Sequence, residues 1–209
     1  GDITTVQTER VSHVYIVPHG AVSQARQITS GRGRADGSRG ITWTPDGQLV
    51  YDSSEGSSVD LLRVGPDGGD QPRLTADARA NARPAVTADG RYVVFNSNRA
   101  GRSSIWRMDA DGGNLRQLTF DAEDAAPSVS PDGRWVVYQS AAEGKVVLKR
   151  VPLEGGAAEP LTDRLAMRPA VSPDGATVAC YYFNGSSNRW ELGLLPMAGG
   201  PPKLIPLPP

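Results

Sequence analysis

One tetrapeptide returns four times at a nearly fixed interval, and this constrains the fold more than any other feature of the chain. Thr44-Pro45-Asp46-Gly47, Thr87-Ala88-Asp89-Gly90, Ser130-Pro131-Asp132-Gly133 and Ser172-Pro173-Asp174-Gly175 place their aspartates 43, 43 and 42 residues apart. A glycine pair, Gly68-Gly69, Gly112-Gly113, Gly155-Gly156 and Gly199-Gly200, keeps nearly the same interval. So does a Leu-Thr or Ile-Thr step ending at Thr29, Thr75, Thr119 and Thr162, with Ile205 in the fifth place. Three markers in the same order at the same period define a tandem repeat. A period of about 43 residues matches a four-stranded propeller blade, about 40–45 residues long. Helical repeats of similar length are excluded. Each unit carries two or more Gly/Pro turns, and no segment shows apolar residues at a 3.6 spacing.

The unit from Pro127 to Thr162 shows the pattern. Ser128 to Ser130 reads as a short inner strand. In Ser-Pro-Asp-Gly, Pro presets φ at the second turn position and Gly takes the positive φ that follows. Trp135-Val136-Val137-Tyr138 is apolar on both faces, as a strand held between two neighbouring sheets must be. Val146 to Val151 is the third strand, Glu154-Gly155-Gly156 a turn, and Glu159 to Thr162 the outer strand. The expected fold is all-β: a β-propeller of four-stranded antiparallel blades, four complete and one incomplete. The limits are 30–75, 76–119, 120–162 and 163–209, the last including a C-terminal tail, with an incomplete first blade at 1–29. In that first blade Ile3 to Thr8 fits a second strand, His13 to Pro18 a third and Arg26 to Thr29 an outer strand, without an inner strand. A propeller removes its edges only by closing its ring. The chain is therefore expected to be part of a larger ring, with an atypical five-bladed closure as the alternative. Open blade faces would favour self-association.

Gly and Pro supply 24 and 17 of the 209 residues, about 20 % against an average of about 12 %. With short β-branched and aromatic runs present, this signals many tight turns rather than disorder. The net charge of −1 lacks the basic excess of a general nucleic-acid binder. No apolar run approaches the ~18 residues of a membrane-spanning helix. Cys180 is the single cysteine; within Val178-Ala179-Cys180-Tyr181-Tyr182-Phe183 it reads as a buried small hydrophobe. The four tryptophans, Trp43, Trp106, Trp135 and Trp190, read as packing residues.

The units, of the form P-x-V-S-P-D-G-x-x-V-V-Y followed by I-W-R-M-D-A-D-G-G-N-L-R-Q-L-T, resemble the TolB-like propeller repeat, from about residue 12 to 205. The same repeat occurs in the non-catalytic propellers of prolyl oligopeptidase-type peptidases. It is equally similar to the C-terminal propellers of some bacterial membrane-anchored Ser/Thr kinases, which carry turns comparable to Leu195 to Pro202. The resemblance implies a fold more than a function. It suggests three readings: a non-enzymatic module for protein or peptide recognition, a sensory or scaffold propeller of a kinase, or the gating propeller of a serine peptidase. It also implies an extracytoplasmic or periplasmic location, with a cytoplasmic one left open.

Catalytic chemistry finds little support in the residues. The only histidines, His13 and His19, read as surface groups, and the G-x-S-x-G nucleophile elbow is missing. The Gly-rich loop, strand Lys, H-R-D and D-F-G of a kinase are missing too. Asp109 to Phe120 fails the calcium-loop pattern at its fifth, sixth and twelfth positions. No cofactor or metal is expected. In a four-stranded blade the Asp-Gly and Gly-Gly turns share one face. Links between blades and the turns between second and third strands share the other. That second face carries Arg79, Asn81 and Arg83 in one link, Asp121, Glu123 and Asp124 in the next, and Arg164 and Arg168 in the third. Arg99 and Arg102 stand on the hairpin 96–102. These residues are the candidate partner-binding set, in which Arg79, Arg83, Arg99 and Arg102 would form charge-assisted bonds to carboxylates or other anions.

Overall fold

The computed structural model describes residues 11–77, 79–120, 123–142 and 144–207. It is all-β apart from two short 3₁₀ turns, Pro18–Gly20 and Val22–Gln24. A two-stranded sheet comes first, β1 (Tyr15–Ile16) with β2 (Arg26–Gln27). The sheet β3 (Arg34–Trp43), β4 (Leu49–Glu55), β5 (Ser58–Val64) follows. Three four-stranded antiparallel sheets complete the order. They are β6 (Asn81–Val86), β7 (Tyr92–Ser97), β8 (Ser104–Asp109), β9 (Arg116–Gln117); β10 (Glu123–Val129), β11 (Trp135–Ala142), β12 (Lys145–Pro152), β13 (Glu159–Pro160); and β14 (Ala166–Val171), β15 (Thr177–Asn184), β16 (Arg189–Pro196), β17 (Lys203–Pro206). The segment 3–8, expected as a strand, lies outside the described residues.

Within each of these sheets the strands pair in chain order, and the first strands stack side by side: β3 on β6, β6 on β10, β10 on β14. Four apolar clusters fill the spaces between consecutive sheets. Val14 and Ile28 meet Leu49, Tyr51, Leu62 and Val64. Val50 and Leu61 meet Val93, Phe95 and Met108. Val94, Ile105 and Leu118 meet Val136, Tyr138 and Val151. Val137 and Leu148 meet Val178, Cys180, Tyr182 and Leu195. Adjacent residues of one strand, Val93 and Val94 or Val136 and Val137, thus point into different interfaces because side chains alternate along a strand. This is why the second strand of each unit is apolar at consecutive positions. Cys180 is buried in the last interface, and burial pushes its thiol up to about 12.

The repeat markers acquire physical roles. The tetrapeptide glycines Gly47, Gly90, Gly133 and Gly175 have φ of 79°, 71°, 68° and 72°, a region costly for other residues. In three of these turns the first hydroxyl accepts the strand's incoming N–H, from Tyr92 to Thr87 (3.1 Å), Trp135 to Ser130 (2.9 Å) and Thr177 to Ser172 (3.0 Å). It donates to the aspartate in turn, which holds the Asp89, Asp132 and Asp174 carboxyls below the usual range. In three units the threonine of the Leu-Thr or Ile-Thr step accepts a buried backbone N–H, from Val14 to Thr29 (3.0 Å), Leu61 to Thr75 (2.9 Å) and Ile105 to Thr119 (2.9 Å), whereas Thr162 accepts from Arg164 (3.0 Å).

Two expectations need correction. The sheet expected to have four strands across 30–75 has three, and the Leu62–Arg73 bridge stands where its fourth would run. Arg63 donates to the Pro72 carbonyl (3.1 Å), but Pro72 has no N–H to return a bond, and the ladder stops. The inner strands also start earlier than the sequence suggests: β10 begins at Glu123, not Ser128. A proline in each, Pro84, Pro127 and Pro169, mimics a link. It sits instead at a bulge within the strand.

Replacing Thr119 by Val leaves the Ile105 N–H unpaired in the core, an expected loss of about 1–3 kcal/mol in urea unfolding. Thr119→Ser, which keeps the acceptor, should lose less than half of that. Because the turn aspartates are held below their ordinary value, their stabilising contribution is full above pH ~4 and drains away as pH falls through the depressed values. Asp132→Ala should therefore lower stability at pH 7, with its deficit against the parent shrinking as pH is taken below ~4, as followed by circular dichroism.

Candidate functional site

Every inner strand breaks register at the same point. The breaks fall between Asp36 and Ile41, Ala82 and Ala85, Ala125 and Ser128, and Met167 and Ala170. One residue at each break has positive φ: Gly37 (66°), Arg83 (55°), Ala126 (53°) and Arg168 (54°). Three of these four are not glycine, and each of those three is followed by proline. Bulges with an unpaired residue turn the strand and re-aim its side chains. Here they open a cavity of about 330 Å³ between the inner strands, walled by Arg39, Ile41, Arg83, Pro84, Ala126, Pro127, Arg168 and Pro169.

Three guanidinium groups therefore share one concavity. Arg83 is half-buried, and Arg39 and Arg168 are exposed. Burial lowers the Arg83 pKa, and repulsion from Arg168 and Arg39 lowers it further. Asp52 opposes this weakly, since its carboxylate is already engaged. It accepts the backbone N–H groups of Arg39 (3.0 Å) and Gly40, and burial pushes its own pKa up. Among the described residues none of the three arginines forms an ion pair within 4 Å.

The candidates from the sequence separate into groups. Arg83 and Arg168 come together in the cavity. They lie inside strands rather than in links, as do Asn81 and Asp124. Asn81 and Arg99 face each other. The Arg99 guanidinium donates to Asn81 Oδ1 (2.8 Å), pairs with Asp77 (3.1 Å), and lies 5.0 Å from the Trp106 ring centroid and 5.4 Å from that of Phe95. Both residues are committed to holding the hairpin against its sheet. Asp124 is buried, and its backbone bonds Ser103. Arg79, Arg102 and Arg164 are exposed, the last beside Asp163 at 3.8 Å. Asp121 lies outside the described residues.

Arg39 was missed because the sheet that carries it has two extra residues at the bulge, which break its likeness to the Arg-Pro pairs. The spaced Arg-Pro dipeptides at 83–84 and 168–169 were the signal available in the sequence. Trp106 and Trp135 pack against the cores between sheets as expected, each also with an arginine over its ring, whereas Trp43 and Trp190 are 55 % and 38 % exposed. Among the described residues no helix is long and apolar enough to cross a membrane.

The model of the TolB beta propeller domain family matches residues 3–173. An uncharacterised protein of Agrobacterium fabrum is 35 % identical over 81 residues, 38 % of this chain and 28 % of its own length. TolB from Acinetobacter baumannii superimposes with a TM-score of 0.72 at 23 % identity, over 86 % of this chain and 45 % of that one. A puromycin-hydrolysing peptidase of Mycobacterium tuberculosis does so with a TM-score of 0.68 at 14 % identity, over 88 % and 30 %. The chain thus spans less than half the length of each of these relatives, and the two structural likenesses speak to the fold alone.

Replacing Arg99 by Ala removes three charge-assisted bonds, to Asn81, Asp77 and Ser97, and two ring contacts. The expected cost is about 1–3 kcal/mol in urea unfolding. Arg99→Lys should recover only part of it, because an ammonium cannot reproduce the planar fork.

Proposed function

Because the chain belongs to the TolB β-propeller family, we propose that it is a non-enzymatic module that docks a protein or peptide outside the cytoplasm. Its domain units are the blades 30–75, 76–119, 120–162 and 163–209, with 1–29 contributing to a further one. The docking face is the one that gathers the links and the hairpins between second and third strands. The observation that carries this reading is electrostatic. The chain is nearly neutral, yet Arg79, Arg102 and Arg164 are exposed on this face. Between the inner strands, Arg39, Arg83 and Arg168 line one cavity. Such a field favours and steers partners rich in carboxylates.

A second reading, the gating propeller of a serine peptidase, draws support from the likeness to the mycobacterial peptidase. It requires a hydrolase domain elsewhere in a longer protein. The reading as a kinase's sensory propeller rests on the sequence resemblance alone.

A displayed library of random peptides, panned on this chain and counter-screened on Arg79→Glu/Arg102→Glu/Arg164→Glu, tests the proposal. Enrichment of acidic peptides that bind the triple variant at least about tenfold more weakly is the expected result. Peptides that bind both proteins equally would refute this face.

A further inference from the structure

We infer that the cavity between the inner strands is a binding site for one organic carboxylate group, held by Arg39, Arg83 and Arg168. The inference deepens the binding-module reading and rests on it for the face from which the ligand enters. It assigns a ligand chemistry and residues of its own.

Like charges gathered in one concavity repel one another. Arg83 feels this directly, since burial and two neighbouring cations all act against its charged form. Nothing among the described residues relieves it by an ion pair within 4 Å. Asp52, the acidic group that acts on Arg83, is turned into the backbone of Arg39 and Gly40. A bound anion would remove the repulsion and gain charge-assisted, forked hydrogen bonds at once.

The backbone points the same way. Arg83 and Arg168 hold φ of 55° and 54°, where glycine would sit without penalty. Both precede proline, which restricts them further. Strained backbone of this kind persists where the surrounding structure over-determines it, often at ligand clamps. The equivalent Ala126 shows that the bulge itself does not demand arginine.

The remaining walls select among anions. Pro84, Pro127, Pro169 and Ile41 face the same space. A volume of about 330 Å³ lies within the range of small-molecule pockets. It exceeds what a lone inorganic ion fills. A carboxylate carrying an apolar body satisfies both the cationic and the apolar walls. Two sources offer this group: a small free organic acid, and the C-terminal end of a peptide chain.

Isothermal titration of the full chain with four probes tests the site: succinate, N-acetyl-Ala-Leu with a free carboxylate, the same dipeptide as its amide, and inorganic phosphate. The free dipeptide should bind at least about tenfold more tightly than the amide and weaken as salt is raised. Arg39→Gln and Arg83→Gly should each reduce its affinity at least about fivefold, and Arg102→Gln should not. Arg83→Gly relieves the positive φ, so its urea midpoint should not fall, which separates lost binding from lost folding. Succinate competing with the dipeptide assigns the site to free acids, and succinate without effect assigns it to chain termini. Equal binding of acid and amide, or tighter binding of inorganic phosphate than of either acid, overturns the inference. If the free acids fail to bind while acidic displayed peptides still depend on Arg79, Arg102 and Arg164, this site falls and the docking module stands. The opposite pattern leaves the site and removes the module.

Discussion

Burial of the second strand on both of its faces, in β4, β7 and β11, is the constraint from which the rest of the structure follows; in the last sheet β15 buries one face and leaves Tyr181 on the other exposed. Val93 and Val94, like Val136 and Val137, are adjacent in sequence and lie in different interfaces. No sheet of this kind completes its core alone. Each needs a neighbour on either side, so stability is carried by interfaces between sheets as much as by the sheets themselves, as in other repeat arrays. Residues buried on both faces are also the ones least free to vary. The inner strands, which carry positive φ and unpaired cations, can depart from regular geometry because that packing fixes the strands beside them.

Hydrogen bonding completes what packing begins. Where an outer strand ends, the third strand would be left with an N–H facing the core, and a threonine hydroxyl meets it at Thr29, Thr75 and Thr119. Where a turn leads into the second strand, a Ser or Thr hydroxyl does the same. Short polar side chains at the edges of apolar strands thus supply partners that the ladder cannot.

The fold was legible in the sequence because its determinants are local and repeated. Asp-Gly turns, glycine pairs and doubly apolar strands declare themselves at a fixed period. The site was legible only in part because it depends on an irregularity. A proline inside a strand looks like a link, so Arg83 and Arg168 read as loop candidates although they lie in strands. Arg39 sits in an insertion of two residues, where the repeat loses its register, and no periodic argument reaches it. Arg99 and Asn81 looked available because charge and amide side chains on a hairpin usually are. Only the three-dimensional arrangement shows Arg99 stacked beside Trp106 and bonded to Asn81.

Cys180 gives this architecture a natural gauge. It is the single thiol of the chain, and it lies in the interface between the sheets β10–β13 and β14–β17. With its ionisation pushed up to about 12 by burial, it is inert to alkylating reagents while that interface is shut, since the thiolate is the reacting form. Its modification rate is therefore a clock for the parting of those two sheets. It times the opening of one seam without reporting on the other three.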